Sequence, residues 1–191
     1  MTALELSLQG VNIYLIGMMG AGKSTVGHLL AQRLPRYHFF DTDTVITQAT
    51  GSSISEIFAD SGEVGFRQIE TQTLGQLSAH TRLVVATGGG IVTQQMNWSY
   101  LHHGIVVWLD ASPQTLWKRL KEDQSRPLLQ DPNPQQKLED LLQQRQHLYA
   151  QADLRVLIEP QDSIEEVAYQ ILTEIPKVLK SNALTQPSRL N

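Results

Sequence analysis

The 191-residue sequence contains no cysteine, which excludes disulfides, thiolate zinc centres and a cysteine nucleophile. That absence suits a reducing compartment. No run approaches the ~18–20 apolar residues that span a bilayer. Met1-Thr2-Ala3-Leu4-Glu5 also lacks the basic and then apolar regions of a signal peptide. The expectation is a cytoplasmic protein with no membrane partner. Cations are scarce as well: 15 Lys and Arg against 19 Asp and Glu leave a formal charge of −4. A nucleic-acid partner is therefore disfavoured, and any anionic ligand must be held by a local cluster. The six histidines fall in no ligand spacing. With 41% hydrophobic against 18% charged residues, the chain has what it needs for a packed core. Its length suits one domain, over residues 1–176, followed by a flexible tail over 177–191. No apolar surface stripe is left over, so a monomer is expected.

Short β-favouring runs alternate with helical spacing along the chain. Strands are expected at 12–16, 37–40, 84–86, 105–109 and 154–158. Helical patterns fill 23–34, 53–60, 62–79, 93–102, 113–122, 135–149 and 163–175. Strands alternating with helices predict an α/β fold of three layers, a five-stranded parallel sheet with helices on both faces. The polar segment 123–135, with Pro127, Pro132 and Pro134, reads as a mobile loop inside the domain.

Gly17-Met18-Met19-Gly20-Ala21-Gly22-Lys23-Ser24 matches G-x-x-x-x-G-K-[ST], between an expected strand and an expected helix. Glycines let backbone N–H groups turn inward around phosphates, and the helix that follows adds its positive end. Lys23 then reaches the outer phosphates and the Ser24 hydroxyl can ligate Mg²⁺. Nucleotide binding follows from this motif alone.

Two sets of acids compete for the magnesium role. Val106-Val107-Trp108-Leu109-Asp110 is an apolar strand ending in an Asp; the competing reading is that Asp110 opens the turn Asp110-Ala111-Ser112-Pro113 into the next helix. Asp41-Thr42-Asp43 ends the second strand, where residues two apart point the same way and both carboxylates face one site. That site is the crevice at the carboxyl ends of the strands. The 41/43 pair is preferred.

Beyond the phosphate loop, Phe66-Arg67-Gln68-Ile69-Glu70, Gly88-Gly89-Gly90, Arg126-Pro127-Leu128-Leu129 and Arg145-Gln146-His147-Leu148-Tyr149 follow Asp41-Thr42-Asp43 in a specific order and spacing. Over about residues 10–175 the sequence resembles the shikimate kinases, P-loop metabolite kinases of the nucleoside monophosphate kinase-like group. The resemblance implies a helical acceptor-binding subdomain at about 42–79 and a lid at about 123–135. It also implies ATP-dependent, Mg²⁺-assisted phosphorylation of the 3-hydroxyl of shikimate, towards chorismate and the aromatic amino acids. By position, Gly20, Ala21, Gly22, Lys23, Ser24 and Thr25 would bind ATP, with Arg119 and Gln161 near the adenine. Asp43 would orient or deprotonate the acceptor, and Asp41 would hold Mg²⁺ through water beside Ser24. Arg67, Gly88, Gly89, Gly90 and Arg145 would hold shikimate, and Arg126 would close over the transferring phosphoryl group.

Plainer readings stand beside these. Arg67 alone is half of a surface i,i+3 ion pair with Glu70, and Arg145 alone is a solvated helix residue. Three consecutive glycines are costly unless something must approach their backbone closely. A gluconate-type or nucleoside monophosphate kinase and a non-catalytic ATP-binding regulator are the competing functions.

Overall fold

The computed structural model describes residues 7–121 and 132–185. Arg126, most of the expected lid and the last six residues lie outside the described residues.

The strands β1 (Asn12–Ile16), β2 (His38–Asp41), β3 (Leu83–Ala86), β4 (Gly104–Ala111) and β5 (Leu154–Ile158) form one parallel sheet in the order β2-β3-β1-β4-β5. Every residue of β1 and β3 is buried, as are Ile105 to Leu109 of β4. Strands so covered need helices on both faces, which is why they read as unbroken apolar runs rather than alternating ones. Strand β1 lies between β3 and β4; the chain passes from it to β2 and β3 on one side and then to β4 and β5 on the other. The crevice at its carboxyl end is the topological switch point where α/β sheets bind ligands.

Helix α1 (Lys23–Arg33) packs against β3 on one side and against the last helix, α7 (Ile164–Thr185), on the other. Helix α7 runs through Thr185, which corrects the expected end at 175 and the tail from 177. Ile171 and Ile175 are buried, and Leu179 packs against the same core at the next i+4 position. This stripe carries the helix across Pro176, despite the backbone hydrogen bond a proline removes.

The sequence pattern gave no helix after β2, yet α2 (Thr42–Thr50) is there. Its N-cap is Asp41, whose carboxylate accepts from the backbone N–H groups of Asp43 at 2.9 Å and Thr44 at 3.4 Å. Gly51, at φ 71°, ends it in the left-handed conformation. Helix α3 (Ile54–Ser78) starts at a Ser53/Glu56 capping box and breaks its regular dihedrals at Gly62. That break is the boundary the sequence placed between 60 and 62. Ile46, Ile57 and Phe66 form a small cluster apart from the main core, giving α2 and α3 an apolar anchor of their own. Helices α4 (Gln95–Leu101), α5 (Pro113–Leu120) and α6 (Pro134–Tyr149) complete the framework.

Candidate active site

The phosphate loop joins β1 to α1 across the switch point. Gly17, Gly20 and Gly22 have φ of 135°, 79° and 95°, values that L side chains rarely adopt. The Lys23 ammonium lies back along the loop, 2.8 Å from the carbonyl oxygens of Gly17 and of Met18. Arg119 of α5 donates to the Gly20 carbonyl at 3.1 Å, fastening the loop's outer edge. Ser24 Oγ, at the head of α1, is 2.5 Å from Asp41 Oδ2. The two groups expected to serve the metal therefore meet, brought together by a helix start and a strand end that are separate in sequence.

A cleft of about 450 Å³ opens over this loop. Its lining includes Gly20, Ala21, Gly22, Lys23, Ser24 and Thr25, and Arg119 borders it. After β5 the wall is made by Asp162, Ser163 and Ile164; Gln161 is exposed and does not line it. Glu159 N donates to Asp162 Oδ2 at 2.8 Å, which turns the segment so that residue 162 faces the cleft.

A second cavity of about 520 Å³ adjoins the first. It collects Asp43, Arg67, Gly88, Gly89, Gly90 and Arg145, residues from four separate stretches of chain. Met19, Asp43, Gly88 and Gly89 line both cavities. Asp43 stands at the junction, although not for the reason the sequence offered: it lies in the first turn of α2, two residues past the strand. Phe58, Phe66 and Leu141 give the second cavity an apolar side, and Lys137 stands one helical turn before Leu141 on the same helix as Arg145.

Arg67 does pair with Glu70, at 2.6 Å, but the pair is no surface feature: the side chains are 12% and 0% exposed. Burial pushes the Glu70 carboxyl above its usual range, and the Arg67 guanidinium opposes that shift. The triple glycine accommodates these side chains. A Cβ on Gly88 would overlap Glu70 Oε1, and one on Gly90 would overlap the Arg67 guanidinium. Asp110 takes the opposite course. It is bound by Arg155 at 2.6 and 2.8 Å and borders neither cavity, so the apolar strand's terminal Asp is engaged elsewhere.

Two residues with structural weight escaped the sequence reading. Glu70 appeared only as a partner for Arg67, and Tyr149 only as the end of a motif. Tyr149 is fully buried and its hydroxyl donates to the Gly89 carbonyl at 2.6 Å. An aromatic four residues after Arg145 was the available signal, since i and i+4 share a helix face.

A phosphate cradle at the switch point, abutting a second cavity with two guanidinium groups and a carboxylate, defines a P-loop phosphotransferase of small molecules. The family model described as Shikimate kinase matches residues 19–176. The shikimate kinase of Trichormus variabilis is 60% identical over 173 residues, 91% of this chain and 95% of that one. The shikimate kinase of a Nostoc species is 58% identical over 176 residues, covering 92% and 97%. A solved shikimate kinase from Acinetobacter baumannii, in complex with shikimate, superposes with a TM-score of 0.81 at 42% identity, covering 95% and 99%. A gluconokinase from Sinorhizobium meliloti superposes at 0.57 with 15% identity over 93% and 98%, a likeness of fold alone. The chain belongs to the shikimate kinase family.

Proposed function

We propose that this enzyme transfers the γ-phosphoryl group of ATP to the 3-hydroxyl of shikimate, giving shikimate 3-phosphate and ADP, in the cytoplasm. The observation that carries the reading is the shared wall: Asp43 and the Gly88–Gly89 backbone border both cavities. A donor phosphate in one and an acceptor hydroxyl in the other meet there.

In this reading ATP lies with its phosphates in the loop. Lys23 leaves the Gly17 and Met18 carbonyls for the phosphate oxygens and balances the charge that develops on them. The Ser24 hydroxyl and the Asp41 carboxylate suit Mg²⁺, being hard oxygen donors too few to enclose an ion that keeps several waters. The ion, when bound with ATP, neutralises charge on the β- and γ-phosphates. Arg67 and Arg145 clamp the shikimate carboxylate, because a planar guanidinium offers two parallel donors to it. Asp43 accepts from the 3-hydroxyl and orients it in line with the phosphoryl group.

The test is ADP release with shikimate, gluconate and AMP as rival acceptors. Turnover with shikimate alone is expected. A preference for gluconate or AMP would reassign the acceptor cavity, and no turnover with any acceptor would leave a nucleotide-binding regulator.

A further inference from the structure

The Gly89 carbonyl oxygen lies before two donors from one helix. The Tyr149 hydroxyl reaches it at 2.6 Å, and Arg145 Nη1 only at 3.4 Å. The two residues are four apart on α6 and so share a face. The Tyr149 ring is stacked with that of Trp108, centroids 5.7 Å apart, which fixes where the hydroxyl can be. Met18 Sδ is also 3.3 Å from that hydroxyl. One proton serves one short bond, and the 2.6 Å distance gives it to the carbonyl.

We propose that Tyr149 is a positioning residue for the acceptor's carboxylate: its hydroxyl occupies the Gly89 carbonyl and so leaves the Arg145 guanidinium for the acceptor. This rests on the acceptor-cavity reading above. Burial pushes the Tyr149 hydroxyl up to about 12, against the charge of Arg145 and a hydrogen bond from its guanidinium, so it remains a donor at neutral pH and also holds that guanidinium beside the cavity. Removing the hydroxyl leaves a carbonyl that needs another donor. Arg145 is already within reach of it, and a guanidinium drawn onto Gly89 presents a poorer fork to a carboxylate.

The experiment compares wild type, Tyr149→Phe, Arg145→Ala and the double variant. KM is measured for ATP, for shikimate, and for a neutral analogue with hydroxymethyl in place of the carboxylate; melting curves monitor folding. The Phe variant keeps the ring and its stacking. It is expected to raise the shikimate KM about five- to tenfold, while the KM values for ATP and the neutral analogue move less than twofold. In the Arg145→Ala background, losing the hydroxyl adds less than twofold. Equal losses for shikimate and the neutral analogue would overturn the proposal, since the hydroxyl would then serve the loop in general. An unchanged shikimate KM, or a Phe variant that does not fold, would also overturn it. If Arg145→Ala itself leaves the shikimate KM untouched, the acceptor-cavity reading falls with it; if Arg145→Ala is impaired and Tyr149→Phe is not, only the role of Tyr149 falls.

Discussion

Arg67 and Glu70 lie one turn apart on α3 and meet at 2.6 Å, with the glutamate side chain wholly buried and its Oε1 without a hydrogen-bond partner among the described residues. The pair holds the Arg67 guanidinium against Gly90, at the wall of the acceptor cavity. Such a pair adds little net stability over an apolar one, but breaking it strands a buried charge.

Arg67→Met should therefore cost stability in a pH-dependent way. A carboxyl whose native pKa is raised binds its proton more tightly folded than unfolded. The folded state then loses stability as pH rises past the ordinary glutamate range, and regains it on acidification. Burial already raises Glu70, and removing Arg67 removes the principal opposing influence. The expected loss is roughly 3–5 kcal/mol at neutral pH. Melting temperatures at pH 7.5 and pH 5 check it: the gap to wild type should be wide at the first and narrower at the second. A gap independent of pH would mean that Glu70 is not the stranded group.

Lys23→Met keeps the length of the side chain and removes the charge. It also leaves the Gly17 and Met18 carbonyls without the ammonium that faces them at 2.8 Å. Each lost hydrogen bond is worth about 1 kcal/mol, so the variant should fold. Its kcat should fall by at least the 10²–10³ typical of one lost transition-state donor. Near-normal turnover in a folded variant would remove Lys23 from phosphoryl transfer.

The two candidate acids give opposite expectations. Asp43→Asn should abolish phosphorylation while nucleotide titration still shows ATP binding. Asp110→Asn loosens a contact to Arg155, whose side chain is 54% exposed, and such pairs are worth ~0–1 kcal/mol. Its activity should stay near wild type. The reverse ranking would return the magnesium role to the end of β4.

The parts legible in the sequence are those whose cause is local. The phosphate loop is a consecutive run, and β1, β3 and β4 announce themselves as buried apolar stretches. Helix α2 was hidden because Thr44, Val45, Ile46 and Thr47 are β-branched and favour strands; what makes it a helix is the Asp41 cap and the burial of Ile46 against Ile57 and Phe66. The continuation of α7 past Pro176 likewise depends on packing that no local pattern reports. Asp43 borders both cavities, but from the first turn of a helix and not from a strand end. The burial of Glu70 and the bond from Tyr149 to a carbonyl 60 residues away are tertiary facts, absent from any sequence window. The entropic cost of three glycines pointed to a close approach, and that approach is made at Gly88 and Gly90 by the Glu70 and Arg67 side chains, neighbours that no sequence window names.

Because Arg67 and Glu70 fill the space beside Gly90 and Gly88, the glycines should differ in tolerance. A Cβ on Gly89 would meet Met19 N at 3.3 Å, a contact that a small backbone shift relieves. One on Gly90 overlaps the Arg67 guanidinium, so Gly90→Ala should displace that group and raise the shikimate KM more than Gly89→Ala does. Equal effects on KM would detach Arg67 from the acceptor.

Lysine replacements at the two arginines separate clamping from simple charge. Arg67→Lys retains a cation that can still reach Glu70, so the buried carboxylate keeps a partner and melting should change little. Arg145→Lys retains a cation at the same cavity wall. What both variants lose is the planar fork that grips a carboxylate through two parallel bonds. A charge-assisted hydrogen bond contributes about 1.5–3 kcal/mol, and ~1.4 kcal/mol is a factor of ten. Each variant should therefore weaken shikimate use, read as kcat/KM, by about tenfold or more, with the KM for ATP nearly unmoved. A shikimate analogue lacking the carboxylate should be a poor substrate for the wild type and lose little further in either variant. If the variants keep normal shikimate kinetics, or if ATP use falls instead, these guanidinium groups do not hold the acceptor, and the cavity they line must be assigned to another ligand.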